Sequence, residues 1–143
     1  MNTTLLDPVD IALAEDIGSG DLTSLFFVPE TRRSKARIFA KEPCIVAGVD
    51  IVRAIYRKLD SHLGLSVLKP DGSRVRPGES VIELSGYARA ILTGERVSLN
   101  FLQPLSGVAT LTAQFVDAVH GTGAVILDTR KTTPGLRALK RRR

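Results

Sequence analysis

The chain has 143 residues, 43% hydrophobic and 24% charged, with 12 Gly, 7 Pro and no Trp, which excludes wholesale disorder and allows a core burying about 68% of the unfolded surface. No apolar run nears the roughly 20 residues that span a bilayer, and the start lacks the basic and apolar regions of a secretory signal, so a non-exported, cytoplasmic protein with no membrane partner is expected. The net charge of +5 rests on Lys140, Arg141, Arg142 and Arg143; without them Lys and Arg number 16 against 15 acids, so the body is nearly neutral and nucleic acid is not an expected partner.

In chain order, Val9, Ala12 and Leu13 recur at helical spacing over residues 8–17, with Asp7 as N-cap, Pro8 at the first helical position and Gly18 past the end. The Gly-Ser-Gly-Asp sequence at 18–21 is turn chemistry, and Pro29 stops a short apolar run at 25–28. Residues 34–40 alternate apolar and basic, the period of a half-buried strand. Beyond Pro43, residues 44–47 predict a second short strand; Ile51, Ala54, Ile55 and Leu59 then form one stripe of a helix for which Asp50 is the expected cap. Apolar stretches at 66–68 and 80–84 flank turns at Asp71-Gly72 and Pro77-Gly78, a hairpin pattern. Helical spacing then holds from 88 to 120, with a kink or break expected at Pro104, which cannot donate to the carbonyl of Asn100. After Gly121-Thr122-Gly123, residues 124–127 read as a strand buried on both faces, and Thr133 and Pro134 as the cap and first residue of another helix. Such a strand needs neighbours that the rest of the sequence does not supply, so either another chain covers it or the sequence is a fragment of a longer one.

Chemistry concentrates at Asp128-Thr129-Arg130-Lys131-Thr132-Thr133-Pro134-Gly135, where that strand meets a helix N-terminus. A guanidinium, an ammonium and free helix N–H groups converge there, a set suited to a multiply anionic ligand. Solvated loop charges with threonine caps are the plainer alternative. Glu15, Asp16 and Asp21 surround a glycine turn, but a hard-cation site needs more oxygen ligands, and they read as capping and solvating groups. His62 and His120 stand alone, and Cys44 reads as a small buried hydrophobe without a disulfide partner.

AEDIGSGDLTS at 14–24, LTGERVSLNFLQPLSGVAT at 92–110 and ILDTRKTTPGLRAL at 126–139 closely resemble the quinolinate phosphoribosyltransferase family, also called nicotinate-nucleotide pyrophosphorylases (carboxylating). The resemblance covers nearly the whole chain. It implies an α+β fold: an N-terminal α/β sandwich domain with a long linking helix over 1–110, then the first βα unit of a C-terminal α/β barrel over 111–143. It also implies phosphoribosyl transfer from phosphoribosyl pyrophosphate to quinolinate with decarboxylation, giving nicotinate mononucleotide, CO2 and pyrophosphate, with Mg2+ whose ligands lie outside this chain. By motif, Arg130 and Lys131 resemble the pair gripping the quinolinate carboxylate and the phosphoribosyl phosphates, with Thr129 beside them. Arg96 resembles the arginine that enters the neighbouring subunit's site, so a homodimer or higher oligomer is implied. From the residues alone, Arg96 reads better as a solvent-face partner of Glu95 or another neighbouring acid.

Two departures stand out: Pro104 inside the long helix, and the basic end where the family continues into its barrel. The isolated 143-residue chain is therefore expected to lack turnover, and its end reads as a solvated charge run. A structural dimerisation module with a vestigial anion site is the competing reading. A lipoyl or biotinyl carrier reading of residues 71–86 lacks its hairpin lysine, because Lys69 precedes Pro70 outside any tip.

Overall fold

In the computed structural model, which describes residues 7–18 and 20–140, the chain begins with α1 (Pro8–Ile17). The Asp7 carboxylate accepts from Val9 N at 3.0 Å and Pro8 opens the first turn, as the sequence predicts. The apolar run at 25–28 mostly closes a second helix, α2 (Leu22–Phe27), which Asp21 caps through Ser24 N.

Strands β1 (Arg33–Phe39), β3 (Gly64–Val67) and β5 (Ser80–Tyr87) form an antiparallel sheet in the order β1-β5-β3. Alternation decides which face is covered: Ala36 pairs with Leu84 and Ile38 with Ile82, and these inward residues meet the core while Lys35, Arg37 and Glu83 stay exposed. The expected hairpin is present as the β3–β5 pair, but the turn-rich insert contributes its own β4 (Arg74–Val75), which leaves the sheet to pair with β2 (Cys44–Ile45).

Helix α3 (Val49–Leu59) lies between two apolar clusters. Val52 and Tyr56 face the sheet with Val81, Ile82, Leu84 and Ile91; Ile51 and Ile55 face α1 with Val9, Leu13, Val97, Phe101 and Leu105. Its cap corrects the sequence reading. Asp50 sits inside the first turn, pairing with Arg53, and the N-cap position is Gly48 at φ 109°, a left-handed conformation that glycine adopts without penalty. The acceptor for the helix's first amides is Asp71, whose Oδ1 takes Gly48 N and Val49 N at 2.9 Å each.

Helix α4 (Ala88–Ala118) runs for 31 residues and does not break at Pro104. Pro104 and Asn100 lie on the exposed side, where water can serve the carbonyl that proline deprives, and buried Phe101, Leu102 and Leu105 anchor the turns around it. Gly94 allows α4 to approach the Tyr56 ring of α3 closely. Burial pushes the Tyr56 hydroxyl up to about 12, and it donates to the Ile91 carbonyl at 3.2 Å.

Past α4, two expectations fail. Residues 124–127 form no strand: Val125 is 75% and Leu127 82% exposed, because no described strand offers them a ladder partner. Thr133 and Pro134 do not open a helix; they belong to a turn closed by Leu136 N on the Thr133 carbonyl, and α5 (Arg137–Lys140) follows. The chain's first six residues, Ser19 of the glycine turn and the basic end at 141–143 lie outside the described residues.

Candidate functional site

The site elements rest on the cluster between α1, α3 and α4. Leu136 and Leu139 pack against it, which draws the segment carrying Arg130 and Lys131 onto the same foundation that holds α4 around Val97. A cleft of about 390 Å³ opens between them, with Asp16, Asn100 and Pro104 on one side and Thr133, Leu136 and Leu139 on the other.

Arg96 projects from the exposed face of α4. Its side chain is 74% exposed, yet Nη1 donates to Asp16 Oδ1 at 3.0 Å, across 80 residues of sequence, and the Asp16 side chain is only 20% exposed. The pairing with a neighbouring acid thus exists, although the partner is Asp16 on α1 and not Glu95. One turn earlier on α4, Thr93 Oγ1 donates to Asp21 Oδ2 at 3.3 Å. Asp21 also accepts from Ser24, through Oγ at 2.5 Å and the backbone N–H at 3.1 Å. The Ser24 bonds, with smaller help from Thr93 and the Arg96 charge, hold the Asp21 carboxyl below its ordinary range.

Thr129, Arg130 and Lys131 are exposed. Thr129 Oγ1 accepts from Lys131 N at 3.2 Å, a local turn that fixes the backbone between the two cations. Arg137 fastens the loop from below, its Nε donating to Thr132 Oγ1 at 3.2 Å and its Nη2 to the Arg130 carbonyl at 3.3 Å. The structure seats Arg96 and the Arg130–Lys131 loop on elements bordering one cleft, but no hydrogen bond joins them and none of the three lines it. A larger groove of about 880 Å³ between β1 and α4 holds none of the four candidate residues.

Reasoning from sequence missed two participants. Arg137 lies in the same motif as Arg130, five residues past a threonine whose hydroxyl it needs. Asp16 stands in the last turn of α1, where a carboxylate opposes the helix dipole, a placement that itself signals a use elsewhere.

The described residues do not fit a Mg2+ ion. No group of three metal-ligating side chains occurs among them, Asp21 is engaged by Ser24 and Thr93, and Asp16 by Arg96. Nor is any described helix long and apolar enough to cross a membrane.

Comparison with known proteins places this geometry. Residues 21–106 match the family model for the quinolinate phosphoribosyl transferase N-terminal domain, and residues 108–142 that for the C-terminal domain. A probable nicotinate-nucleotide pyrophosphorylase (carboxylating) of Bacillus subtilis is 45% identical over 127 residues, covering 89% of this chain and 44% of the relative. The chloroplastic nicotinate-nucleotide pyrophosphorylase (carboxylating) of rice is 41% identical over 130 residues, covering 90% of this chain and 34% of the relative. The crystal structure of NadC from Streptococcus pyogenes superposes with a TM-score of 0.88 at 37% identity, covering 92% of this chain and 47% of that one. The nicotinate-nucleotide pyrophosphorylase of Ehrlichia chaffeensis gives 0.88 at 35% identity, covering 98% and 51%. The chain thus spans less than half the length of these curated relatives.

Proposed function

The chain belongs to the quinolinate phosphoribosyltransferase family, and from that premise we propose that it carries the carboxylate-gripping residues of an enzyme joining quinolinate to the ribosyl of phosphoribosyl pyrophosphate. The products are nicotinate mononucleotide, CO2 and pyrophosphate, a step of NAD biosynthesis. The observation that carries this reading is that both cationic units fall within family matches, Arg96 on α4 in the N-terminal-domain match over 21–106 and Arg130–Lys131 in the C-terminal-domain match over 108–142.

The chemistry asks for such residues. Quinolinate is a dianion and its co-substrate carries phosphate and pyrophosphate, so like charges must be brought together before the ring nitrogen can attack the sugar carbon. Cations held by protein offset that repulsion and favour the departing pyrophosphate; no protein nucleophile is needed, and positioning with electrostatics supplies the acceleration. Arg130 and Lys131 grip a quinolinate carboxylate and the phosphoribosyl phosphates, with Thr129 shaping the backbone between them. Arg96 serves the site of a second copy, so a homodimer or higher oligomer is part of the proposal, as are the division into a domain over 1–110 and the start of a barrel over 111–143, and a cytoplasmic setting.

Calorimetric titration of the chain with quinolinate tests the reading. Saturable binding that weakens at least tenfold in Arg130→Ala and Lys131→Ala is expected; absence of heat, or an affinity untouched by either substitution, overturns it in favour of a structural dimerisation module.

A further inference from the structure

Arg96 is long, exposed and borne on a helix face, the situation in which a guanidinium samples many rotamers and loses side-chain entropy on being fixed. In this fold that freedom is already curtailed. Asp16, itself mostly covered, takes a single Nη1 proton at 3.0 Å, and no other described hydrogen bond engages the guanidinium, so the remaining donors of the fork stay in water. Asp21, on the other side of the glycine turn, adds a second negative charge near Arg96 and is tied to the same helix through Thr93. Exposed ion pairs contribute little to folding, and an acid in the last turn of α1 works against that helix. The energetic return of this placement is therefore found in the ordering of Arg96.

We propose that Asp16 is a positioning residue for Arg96: from the end of α1 it fixes one Nη so that the free edge of the guanidinium is presented, preformed, to a substrate carboxylate. This inference rests on the proposed role of Arg96 and adds to it the acid that sets its geometry. A bidentate carboxylate needs only one edge of the fork, so a monodentate hold at one Nη leaves the grip available while removing rotamers that binding would otherwise have to exclude.

The test is titration of the chain with quinolinate in Asp16→Asn, Arg96→Ala and the double variant, with nicotinate as the single-carboxylate control. Arg96→Ala should weaken quinolinate binding at least tenfold, and Asp16→Asn about three- to fivefold, the range open to an exposed charge pair. Asp16→Asn should add nothing in the Arg96→Ala background, Asp16→Glu should restore part of the loss, and nicotinate affinity should move by less than twofold. Thermal denaturation separates a structural role, because removing a carboxylate from the last turn of α1 should leave the melting temperature unchanged or higher. If Asp16→Asn binds as well as or more tightly than the unmutated chain while Arg96→Ala still weakens it, or if the two losses add in the double variant, Asp16 does not position Arg96. Arg96→Ala without effect, or no binding by the unmutated chain, instead removes the role of Arg96 on which the inference stands.

Discussion

Helix α4 contains two glycines that make opposite demands on the same substitution. At Gly94 a Cβ would stand 2.5 Å from Tyr56 Cε1, 2.9 Å from Leu59 Cδ1 and 3.0 Å from Tyr56 Cζ. Leu59 can swing aside, but the Tyr56 ring is 2% exposed and its hydroxyl is fastened to the Ile91 carbonyl, so it has nowhere to retreat. At Gly107 a Cβ would meet nothing within 4 Å. Both positions are helix interior, where alanine is favoured over glycine by about 0.8–1 kcal/mol, so that gain cancels when the two variants are compared. What remains is the overpacking cost at Gly94, about 1–3 kcal/mol for an extra methyl forced into a filled core. Urea denaturation followed by helical circular dichroism should therefore show Gly107→Ala more stable than the unmutated chain by up to about 1 kcal/mol, and Gly94→Ala less stable than Gly107→Ala by about 1–3 kcal/mol. Equal stability of the two variants would refute the claim that the α3–α4 contact requires glycine at 94.

Asp71→Ala strips the acceptor shared by Gly48 N and Val49 N and should cost about 1–2 kcal/mol in the same denaturation assay, with Asp71→Asn recovering most of it, since an amide oxygen can accept the same bonds. Asp21 gives a pH dependence: its folded-state carboxyl titrates below its ordinary value of 3.8, so its contribution is fully present above that value and is lost as pH falls from there through the lowered folded-state value. Asp21→Asn, which still caps α2 but cannot titrate, should flatten the acid limb of the stability profile below the carboxyl's ordinary value of 3.8; superimposable acid limbs would contradict the assignment.

Much of the fold is legible from local chemistry. Asp7-Pro8 and Gly18 bound α1 as written, alternation marks β1, and apolar spacing marks α4, although the break expected at Pro104 does not occur. The misread cap of α3 and the missing strand at 124–127 share one cause, dependence on distant parts of the chain. Asp50 looks like a cap because it stands at the right offset, whereas the operative carboxylate, Asp71, arrives from a turn 22 residues after Val49. Residues 124–127 have the composition of a buried strand, but a strand is stabilised by its neighbours, and among the described residues there are none for it. The site divides in the same way. Arg130 and Lys131 are visible as adjacent cations beside threonines, while the links of Asp16 to Arg96 and of Arg137 to Thr132 require the fold to be known.

Those links show why the two cationic units should respond together to changes in the core. Arg96 is oriented from α1 through Asp16, and the Arg130–Lys131 loop is seated by Leu136 and Leu139 on the cluster that includes Val9 and Leu13 of α1. Helix α1 is only ten residues long, and its position rests on that cluster and on Lys58, which reaches Asp7 and Asp10 from α3. An isolated helix of that length is marginal in water. A short helix held by one apolar patch is thus the common support for a helix-borne arginine and a loop-borne pair. Loosening the patch would therefore disturb the placement of both Arg96 and the Arg130–Lys131 loop.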